Sequence, residues 1–398
     1  MRSGWLQRSL GELCSIARGG SPRPIQAFLT DAEDGINWVK ISDATASGKY
    51  IYTTAEKIKP AGASRSRIVN DGDFLLSNSM SFGRPYIMRT TGCIHDGWLV
   101  LSEYDNSFNQ DFLYHLLGSP QVFNQFDRLA AGSTVRNLNI DLASHVMLPV
   151  PPIGEQRRIV AILDEAFEAI ATAKANTEKN LQNAQAVFES YLADVFSARN
   201  EGWTDRQLHS LCRRITVGHV GSMATLYKPA GIPFLRSQNI RPFSVSMQNL
   251  VFIDEEFHAS LSKSSLQAGD VAIVRTGYPG TAAVIPDSLG VANCSDLVIV
   301  RPGPEIDAHF LCAFFNSAFG KNMVSGKVVG AAQKHFNVGA AKDVVLHLPS
   351  LNEQQAIVAA AEELRDETDR LECLSARKLA TLDELKKSLL HQAFSGVL

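Results

Sequence analysis

The chain has 398 residues, of which 45 % are hydrophobic and 20 % are charged, so it can form two or three domains with buried cores and is not disordered. Its six cysteines are scattered without a CxxC pair, which excludes a zinc ribbon and a disulfide scaffold and favours a reducing cytoplasm. The net charge of −3 predicts only weak binding of phosphate by bulk charge, and no apolar run is long enough for a membrane span.

Residues 1–152 are predicted to form a mixed domain of short strands, loops and a few helices. Runs such as INWVKI, DFLLS and WLVL alternate with Gly and Pro, which is typical of strands joined by turns. Gly72–Asp73 is predicted to be a tight turn before a strand. The stretch DFLYHLLGSPQVFNQF predicts one or two amphipathic helices, and LPVPP ends the domain.

Residues 153–198 are predicted to form one long helix of a coiled coil, because apolar residues recur at alternating spacings of three and four. At about 1.5 Å per residue this helix would be roughly 65 Å long, and its apolar stripe needs a partner. Glu155–Gln156 open the helix, where a carboxylate favours the positive end. The seam, meaning the apolar residues predicted to face the partner helix, consists of Ile159, Leu163, Ala166, Phe167, Ile170, Ala173, Leu181, Ala184, Phe188, Tyr191 and Val195.

Residues 199–351 and 352–398 repeat this organisation at an offset of about 198 residues. Trp5 with LQRSLGELC matches Trp203 with TDRQLHSLC, and NDGDFLLSNSMSFG matches QAGDVAIVRTGYPG. GSTVRNLNI matches GAAQKHFNV, and MLPVPPIGEQRRIV matches LHLPSLNEQQAIV. The chain is therefore predicted to contain two copies of one unit, a mixed domain followed by a long helix. The second seam is predicted to be Ile357, Ala361, Leu364, Leu371, Leu379, Leu382, Leu385 and Leu389.

The acidic charge lies in the two helical segments. Residues 153–198 and 352–398 each carry a charge of −3, whereas residues 1–152 are neutral and residues 199–351 carry +3. If the mixed domains bind DNA, they are expected to do so through local patches or with the help of partners.

Motifs of catalysis are missing from the sequence. It has no NPPY-type tetrapeptide of an amino-methyltransferase, no GxxxxGK[ST] loop, no GxGxxG after a strand, no HExxH and no GxSxG. The one ExK motif, Glu384 to Lys386, falls in a predicted helix. The chain is therefore predicted to be neither an enzyme nor a metal-binding protein by itself.

The duplicated blocks resemble the specificity subunits of Type I restriction–modification systems over nearly the whole chain. The resemblance rests on the segments LPVPPIGEQRRIVAILDEAFEAI, LPSLNEQQAIVAAAEELRDETDRL, GDVAIVRTG, GIPFLRSQNI, GSTVRNLN, GAAQKHFNV and the final QAFSGVL. The resemblance implies an α+β fold with two target-recognition domains, at 1–152 and 199–351. It also implies that the helices at 153–198 and 352–398 pack as an antiparallel coiled coil.

The same resemblance implies a function. Each recognition domain would read one half of a bipartite site in double-stranded DNA, and the coiled coil would set the spacing and dock the methyltransferase (M) subunits, two in number. S-adenosylmethionine would be bound by those subunits, and ATP and Mg by the restriction (R) subunits. This chain would hold no cofactor, and the complex would be cytoplasmic and free of membranes.

Candidate DNA-contacting residues are Arg, Lys, Asn, Gln, His and Tyr side chains in Gly-flanked loops and repeated blocks, since such groups read bases or phosphates. In the first half they are Arg18, Arg23, Lys40, Asn78, Arg84, Arg136 and Asn137. In the second half they are Arg236, Gln238, Asn239, Arg275, Tyr278, Lys327, Gln333, Lys334 and His335.

Two alternative functions remain open from the sequence. One is a coiled-coil scaffold whose mixed domains bind proteins, and salt-dependent DNA binding would distinguish it. The other is the recognition subunit of a different restriction or methylation architecture, which neighbouring genes would identify.

Overall fold

The computed structural model describes residues 4–78, 83–104, 107–130, 138–223, 225–326 and 336–398. The chain divides into two compact units. Unit 1 is Met1–Thr177 with Arg377–Leu398, and unit 2 is Glu178–Ala376. Each unit therefore contains one mixed α/β part, which precedes a long helix, and one portion of each of two long helices.

The mixed part of unit 1 consists of short strands and helices. Its strands are β1 (Leu6–Ser9), β2 (Ser15–Arg18), β3 (Leu29–Thr30), β4 (Ile36–Val39), β5 (Tyr50–Ile51), β6 (Glu56–Ile58), β7 (Arg67–Val69), β8 (Phe74–Ser77), β9 (Pro85–Met88), β10 (Gly92–Ile94), β11 (Trp98–Ser102) and β12 (Met147–Val150). Its helices are α1 (Leu10–Leu13), α2 (Ile41–Ser47), α3 (Pro60–Ala63), α4 (Gln110–Leu117), α5 (Pro120–Ala130) and α6 (Ile140–Ser144), with a 3-10 turn at Ile25–Ala27. The long helix α7 (Ile153–Ser197) follows.

The strands of unit 1 form two five-stranded mixed sheets and one short pair. One sheet has the order β2-β11-β8-β9-β5, the other has the order β3-β6-β4-β10-β7, and β1 pairs with β12. Strand β8 is buried on both faces because its side chains alternate: Phe74 and Leu76 enter the core shared with α4, α5 and the long helices, whereas Leu75 enters a second core with Trp98. A run of three apolar residues is therefore needed here rather than an alternating pattern.

Unit 2 repeats this arrangement. Its strands are β13 (Thr204–Gln207), β14 (Cys212–Val217), β15 (Ile232–Leu235), β16 (Ile240–Arg241), β17 (Ser244–Val245), β18 (Val251–Ile253), β19 (Ser265–Leu266), β20 (Val271–Val274), β21 (Ala282–Val284), β22 (Ala292–Cys294), β23 (Leu297–Pro302) and β24 (Val345–Leu348). Its helices are α8 (Leu208–Leu211), α9 (Glu255–Ser260), α10 (Ala308–Asn316), α11 (Ala318–Gly326), α12 (Val338–Lys342) and α13 (Leu351–Ser395), with 3-10 turns at Ser237–Asn239 and Asp287–Leu289.

The sheets of unit 2 have the orders β14-β23-β20-β21 and β18-β15-β22-β19, with the pairs β13-β24 and β16-β17. Strand β20 alternates as β8 does, with Val271 and Ile273 in one core and Ala272 and Val274 in another. The α+β class and the duplicated architecture predicted from the sequence are confirmed.

Both Gly-Asp steps form the predicted tight turns. Gly72 and Gly269 have φ of 91° and 81°, values that glycine adopts without strain. The backbone N–H of Asp73 donates to Asn70, and the Asp73 carboxylate accepts from the backbone N–H of Asn70 at 2.8 Å. Asp270 makes the same two bonds with Gln267, at 3.0 and 2.9 Å.

The two long helices pack against each other in antiparallel fashion within each unit, as predicted. In unit 1 the portion of α7 up to Thr177 packs with the end of α13, and Ile159 and Leu163 share a core with Phe394. In unit 2 the end of α7 packs with the start of α13, where Tyr191 Oη donates to the Ile357 carbonyl at 3.3 Å.

The buried residues of the two long helices differ from the predicted seam at several positions. Leu385 is 46 % exposed, whereas Leu192 and Phe196 were not predicted and are buried. Phe196 is buried because it packs on the mixed part, with its ring centre 5.2 Å from that of Phe310 in α10. A helix that contacts both another helix and a domain buries a wider stripe than a coiled coil does.

A fully buried glutamine joins the start of each long helix to the mixed part. Gln156 Oε1 accepts from the Asn109 backbone N–H at 2.8 Å, and Nε2 donates to the carbonyls of Ser107 and Pro151 at 2.6 and 2.9 Å. Asn109 is the N-cap of α4, so one amide fixes the starts of two helices.

Gln354 makes the same three bonds in unit 2. Its Oε1 accepts from the Asp307 backbone N–H at 2.8 Å, and its Nε2 donates to the carbonyls of Glu305 and Pro349 at 3.0 Å. The sequence suggested helix-start chemistry for both Glu-Gln pairs, and Glu353 does accept from the Ser350 backbone N–H. The glutamines instead connect helix and domain.

In the described part of the chain, no helix is both long enough and apolar enough to cross a membrane.

Candidate nucleic-acid interface

Loops of unit 1 meet at Asp96, between β10 and β11. Its carboxylate accepts a hydrogen bond from Ser21 Oγ at 2.6 Å and lies 3.8 Å from the guanidinium of Arg23. Its main-chain carbonyl accepts from Arg18 Nε at 3.0 Å and from Asn78 Nδ2 at 2.9 Å. The hydrogen bond from Ser21 is the main cause that lowers the pKa of Asp96 below its usual value. We call these five residues the Asp96 cluster.

The loop that carries Ser21 and Arg23 runs against the chain beside Asp96. The backbone N–H of Gly19 donates to the Trp98 carbonyl at 3.0 Å. A Cβ atom at Gly19 would lie 2.0 Å from the carbonyl oxygen of His95, so no residue with a side chain fits there without moving the loop.

Unit 2 has a corresponding arrangement at Asp296, between β22 and β23. Its carboxylate accepts from an Arg275 guanidinium nitrogen at 2.8 Å and from Thr276 Oγ1 at 3.3 Å. Its backbone N–H donates to the His219 carbonyl at 3.1 Å, and its φ of 51° is rare for a residue with a side chain. We call these four residues the Asp296 cluster.

The same main-chain bond closes both clusters. The Leu138 backbone N–H donates to the Asn78 carbonyl at 3.0 Å, and the Phe336 backbone N–H donates to the Arg275 carbonyl at 3.1 Å. Leu138 and Phe336 are fully buried, so each provides a fixed point within one of the repeated blocks, GSTVRNLNI and GAAQKHFNV.

The structure brings several predicted contact residues together. Arg18, Arg23 and Asn78 converge on Asp96, and Arg23 and Lys40 line one surface cavity beside Trp38. Lys40 also forms an ion pair with Glu56, with 2.6 Å between Nζ and Oε1.

Other predicted residues lie at the surface. The side chain of Arg23 is 83 % exposed, and Tyr278 is 84 % exposed in the turn between β20 and β21. Arg84 and Gln238 are exposed as well. Such exposed side chains are accessible to phosphates or bases, and an exposed tyrosine ring is suited to stacking.

Arg236 is held in place within unit 2. One guanidinium nitrogen donates to the Asn249 carbonyl at 2.7 Å, and the guanidinium carbon lies 5.6 Å from the ring centre of Tyr227. Arg236 is therefore preoriented and half-buried rather than free.

Burial changes the interpretation of three predicted contact residues. Asn78 and Asn239 are 1 % and 0 % exposed, and Asn239 Nδ2 donates to the carbonyls of Ser246 and Gln248. The side chain of Arg275 is 15 % exposed and is engaged by Asp296. In this conformation these side chains organise loops and do not present themselves to a ligand.

The remaining predicted contact residues lie outside the described residues. They are Arg136, Asn137, Lys327, Gln333, Lys334 and His335.

Sequence reasoning missed Asp96 and Asp296. Both are acidic, so a search for DNA-contacting side chains passes over them. The signal that could have found them is their position next to a strand in each half, shortly before WLVL and LVIV.

Comparisons with known proteins find similar sequences along nearly the whole chain. A family profile described as "Type I restriction modification DNA specificity domain" matches residues 2–183. The EcoBI specificity subunit of Escherichia coli is 22 % identical over 99 % of this chain and 86 % of its own length. The EcoKI specificity subunit of Escherichia coli strain K12 is 21 % identical over 99 % of this chain and 89 % of its own.

Solved structures show the same fold. One, described as the structural basis of complex assembly and conformational transition of the type I R-M system, has a TM-score of 0.79 and 20 % identity, and the match covers 99 % of this chain and 98 % of that one. The HsdS subunit from Thermoanaerobacter tengcongensis has a TM-score of 0.65 and 21 % identity over 100 % of this chain and 98 % of its own. Residues 2–183 thus match the Type I restriction modification DNA specificity domain, and over nearly its whole length the chain is similar to Type I restriction enzyme specificity subunits.

Proposed function

We propose that this chain selects the DNA sequence at which a Type I restriction–modification complex acts, with each unit reading one half of a bipartite site. The observation that carries the proposal is the duplicated loop cluster. Each unit gathers its loops on one aspartate and closes them with the same main-chain bond. A duplicated reader with divergent side chains fits a site of two different halves.

The chain is proposed to be the non-catalytic member of that complex. Its partners would be two M subunits, which bind S-adenosylmethionine and methylate adenine, and R subunits, which use ATP and Mg. The near-neutral mixed parts leave much of the phosphate contact to those partners. Exposed Arg23, Arg84, Gln238 and Tyr278 would supply contacts from this chain.

A map of modified bases tests this proposal. The chain is co-expressed with the methyltransferase encoded beside it in a host without DNA methylation, and modified bases are located by single-molecule sequencing. The expected result is a gapped, asymmetric motif with one modified adenine on each strand. A short continuous motif would instead assign the chain to another restriction architecture. A stable complex without any modification would favour the protein-binding scaffold.

The two aspartates give a half-site prediction. Asp296→Ala removes the carboxylate that binds Arg275 and Thr276 and should lower discrimination at the half-site read by unit 2 by about tenfold or more, the range of one good base contact, while the other half-site is read normally. Asp96→Ala should have the converse effect. The measurement is binding of the assembled methyltransferase complex to duplexes altered in one half-site at a time.

The control for this prediction is Asp287→Ala, which removes the same charge from an exposed position of unit 2. Equal losses at both half-sites for Asp296→Ala, or the same loss for Asp287→Ala, would contradict the positioning role.

A further inference from the structure

The polar contacts between the two long helices are not symmetric, although the helices are repeats of one another. In unit 1, Lys174 of α7 donates to the Asp383 carboxylate of α13. In unit 2, Gln185 Nε2 of α7 donates to Glu372 Oε1 of α13 at 2.6 Å. In both units α7 supplies the donor and α13 supplies the carboxylate.

The offset of the repeat makes this asymmetry informative. A shift of 198 positions carries Lys174 onto Glu372 and Gln185 onto Asp383. The two helices thus have opposite chemistry at equivalent positions. If two copies of α13 packed in the same antiparallel register, Glu372 of one copy would lie beside Asp383 of the other, twice in the pair, and like charges at contact distance repel.

At a second set of positions, two copies of α13 would again place like charges together. Lys386 of α13 lies with Nζ 4.7 Å from the ring centre of Phe167 in α7. In unit 2, Arg365 of α13 and Phe188 of α7 line one cavity with Phe243. The offset of 198 carries Phe167 onto Arg365 and Phe188 onto Lys386, so two copies of α13 would bring two cations together where α7 offers aromatic rings.

We propose that these positions make α13 selective for α7 and disfavour its pairing with a second copy of itself, so that α13 packs on an α7 helix and not on the α13 of a neighbouring chain. One exposed ion pair contributes little stability. Selectivity arises because homotypic pairing replaces attraction by repulsion at several positions at once, as charged flanking positions do in coiled coils. This inference concerns chain pairing and does not depend on the proposed DNA reading.

Charge reversal in the full-length chain tests the pairing. The acidic-α7 variant carries Lys174→Glu and Gln185→Glu, and the basic-α13 variant carries Glu372→Lys and Asp383→Lys. Each variant should lower the midpoint of thermal unfolding by about 2–5 °C, and the variant with all four substitutions should recover at least half of the summed loss. The matched control, Lys179→Glu with Gln182→Glu, alters exposed positions of α7 and should leave the midpoint unchanged.

Partner choice is measured directly by co-expressing differently tagged full-length chains. A tagged acidic-α7 chain should recover the basic-α13 chain several-fold more than it recovers an untagged acidic-α7 chain, because only the mixed pair restores opposite charges in both helix contacts. The excess should shrink as ionic strength rises. Equal recovery, or a four-substitution variant that melts at the sum of the two separate losses, would overturn the proposal.

Discussion

Gln354→Leu should lower the free energy of unfolding of unit 2 by about 3–5 kcal/mol, since it leaves one backbone N–H and two carbonyls without partners next to a fully buried side chain. Leucine has a similar size, so lost hydrogen bonds and not lost volume dominate the effect. Urea unfolding followed by tryptophan fluorescence measures it in a chain whose three tryptophans in unit 1 are replaced by Phe, so that Trp203 is the reporter of Glu178–Ala376.

The neighbouring residue provides the control for this substitution. Gln355 is exposed on the same turn of α13, so Gln355→Leu should change the free energy of unfolding by less than about 0.5 kcal/mol. Gln354→Glu should be at least as harmful as Gln354→Leu, because its carboxylate would face two carbonyl oxygens. Equal urea midpoints for Gln354→Leu and Gln355→Leu would contradict the role of Gln354 in connecting α13 to the mixed part of unit 2.

The second large effect is expected at a buried ion pair in unit 2. Asp270 is 1 % exposed, and its two carboxylate oxygens accept from Arg301 at 2.7 and 2.8 Å. Arg301→Met leaves that carboxylate buried without a counter-charge and should cost about 3–5 kcal/mol in the same fluorescence experiment. Arg241→Met, at an exposed arginine of β16, should be nearly neutral. A loss below about 1 kcal/mol would show that solvent reaches Asp270.

A substitution at the equivalent turn of unit 1 is expected to raise the stability at neutral pH rather than lower it. Burial raises the pKa of Asp73, and the nearby Glu103 adds to the shift. Because the folded pKa exceeds the unfolded one, the stability that Asp73 contributes is fully present below the unfolded pKa and is lost as pH rises through the folded pKa. Asp73→Asn keeps an acceptor for the Asn70 N–H and should raise the unfolding midpoint at pH 7 but not at pH 3.

The repeat and the long helices could be predicted from the sequence because their signals are local and periodic. The predicted helical segments at 153–198 and 352–398 lie within a few residues of α7 and α13. The error at Leu385 has a different origin, since periodicity identifies a stripe but not which part of it a second surface covers.

The candidate interface was harder to predict for the same reason. Residue type and glycine context found the loops, but whether an asparagine such as Asn78 faces solvent depends on partners far away in sequence, here the Asp96 carbonyl. Gln156 and Gln354 were visible as a duplicated pair, yet their burial depends on contacts with residues 47 and 49 positions earlier.

The bonds from Leu138 to Asn78 and from Phe336 to Arg275 use only main-chain atoms. The side chains at the accepting positions have already diverged, one an amide and the other a guanidinium, while the bond itself is unchanged. Mutations can therefore accumulate beside these two main-chain bonds at little energetic cost. A lineage of such proteins can explore new DNA-sequence preferences while its fold remains intact. A mutational library placed next to the two bonds should contain many folded variants.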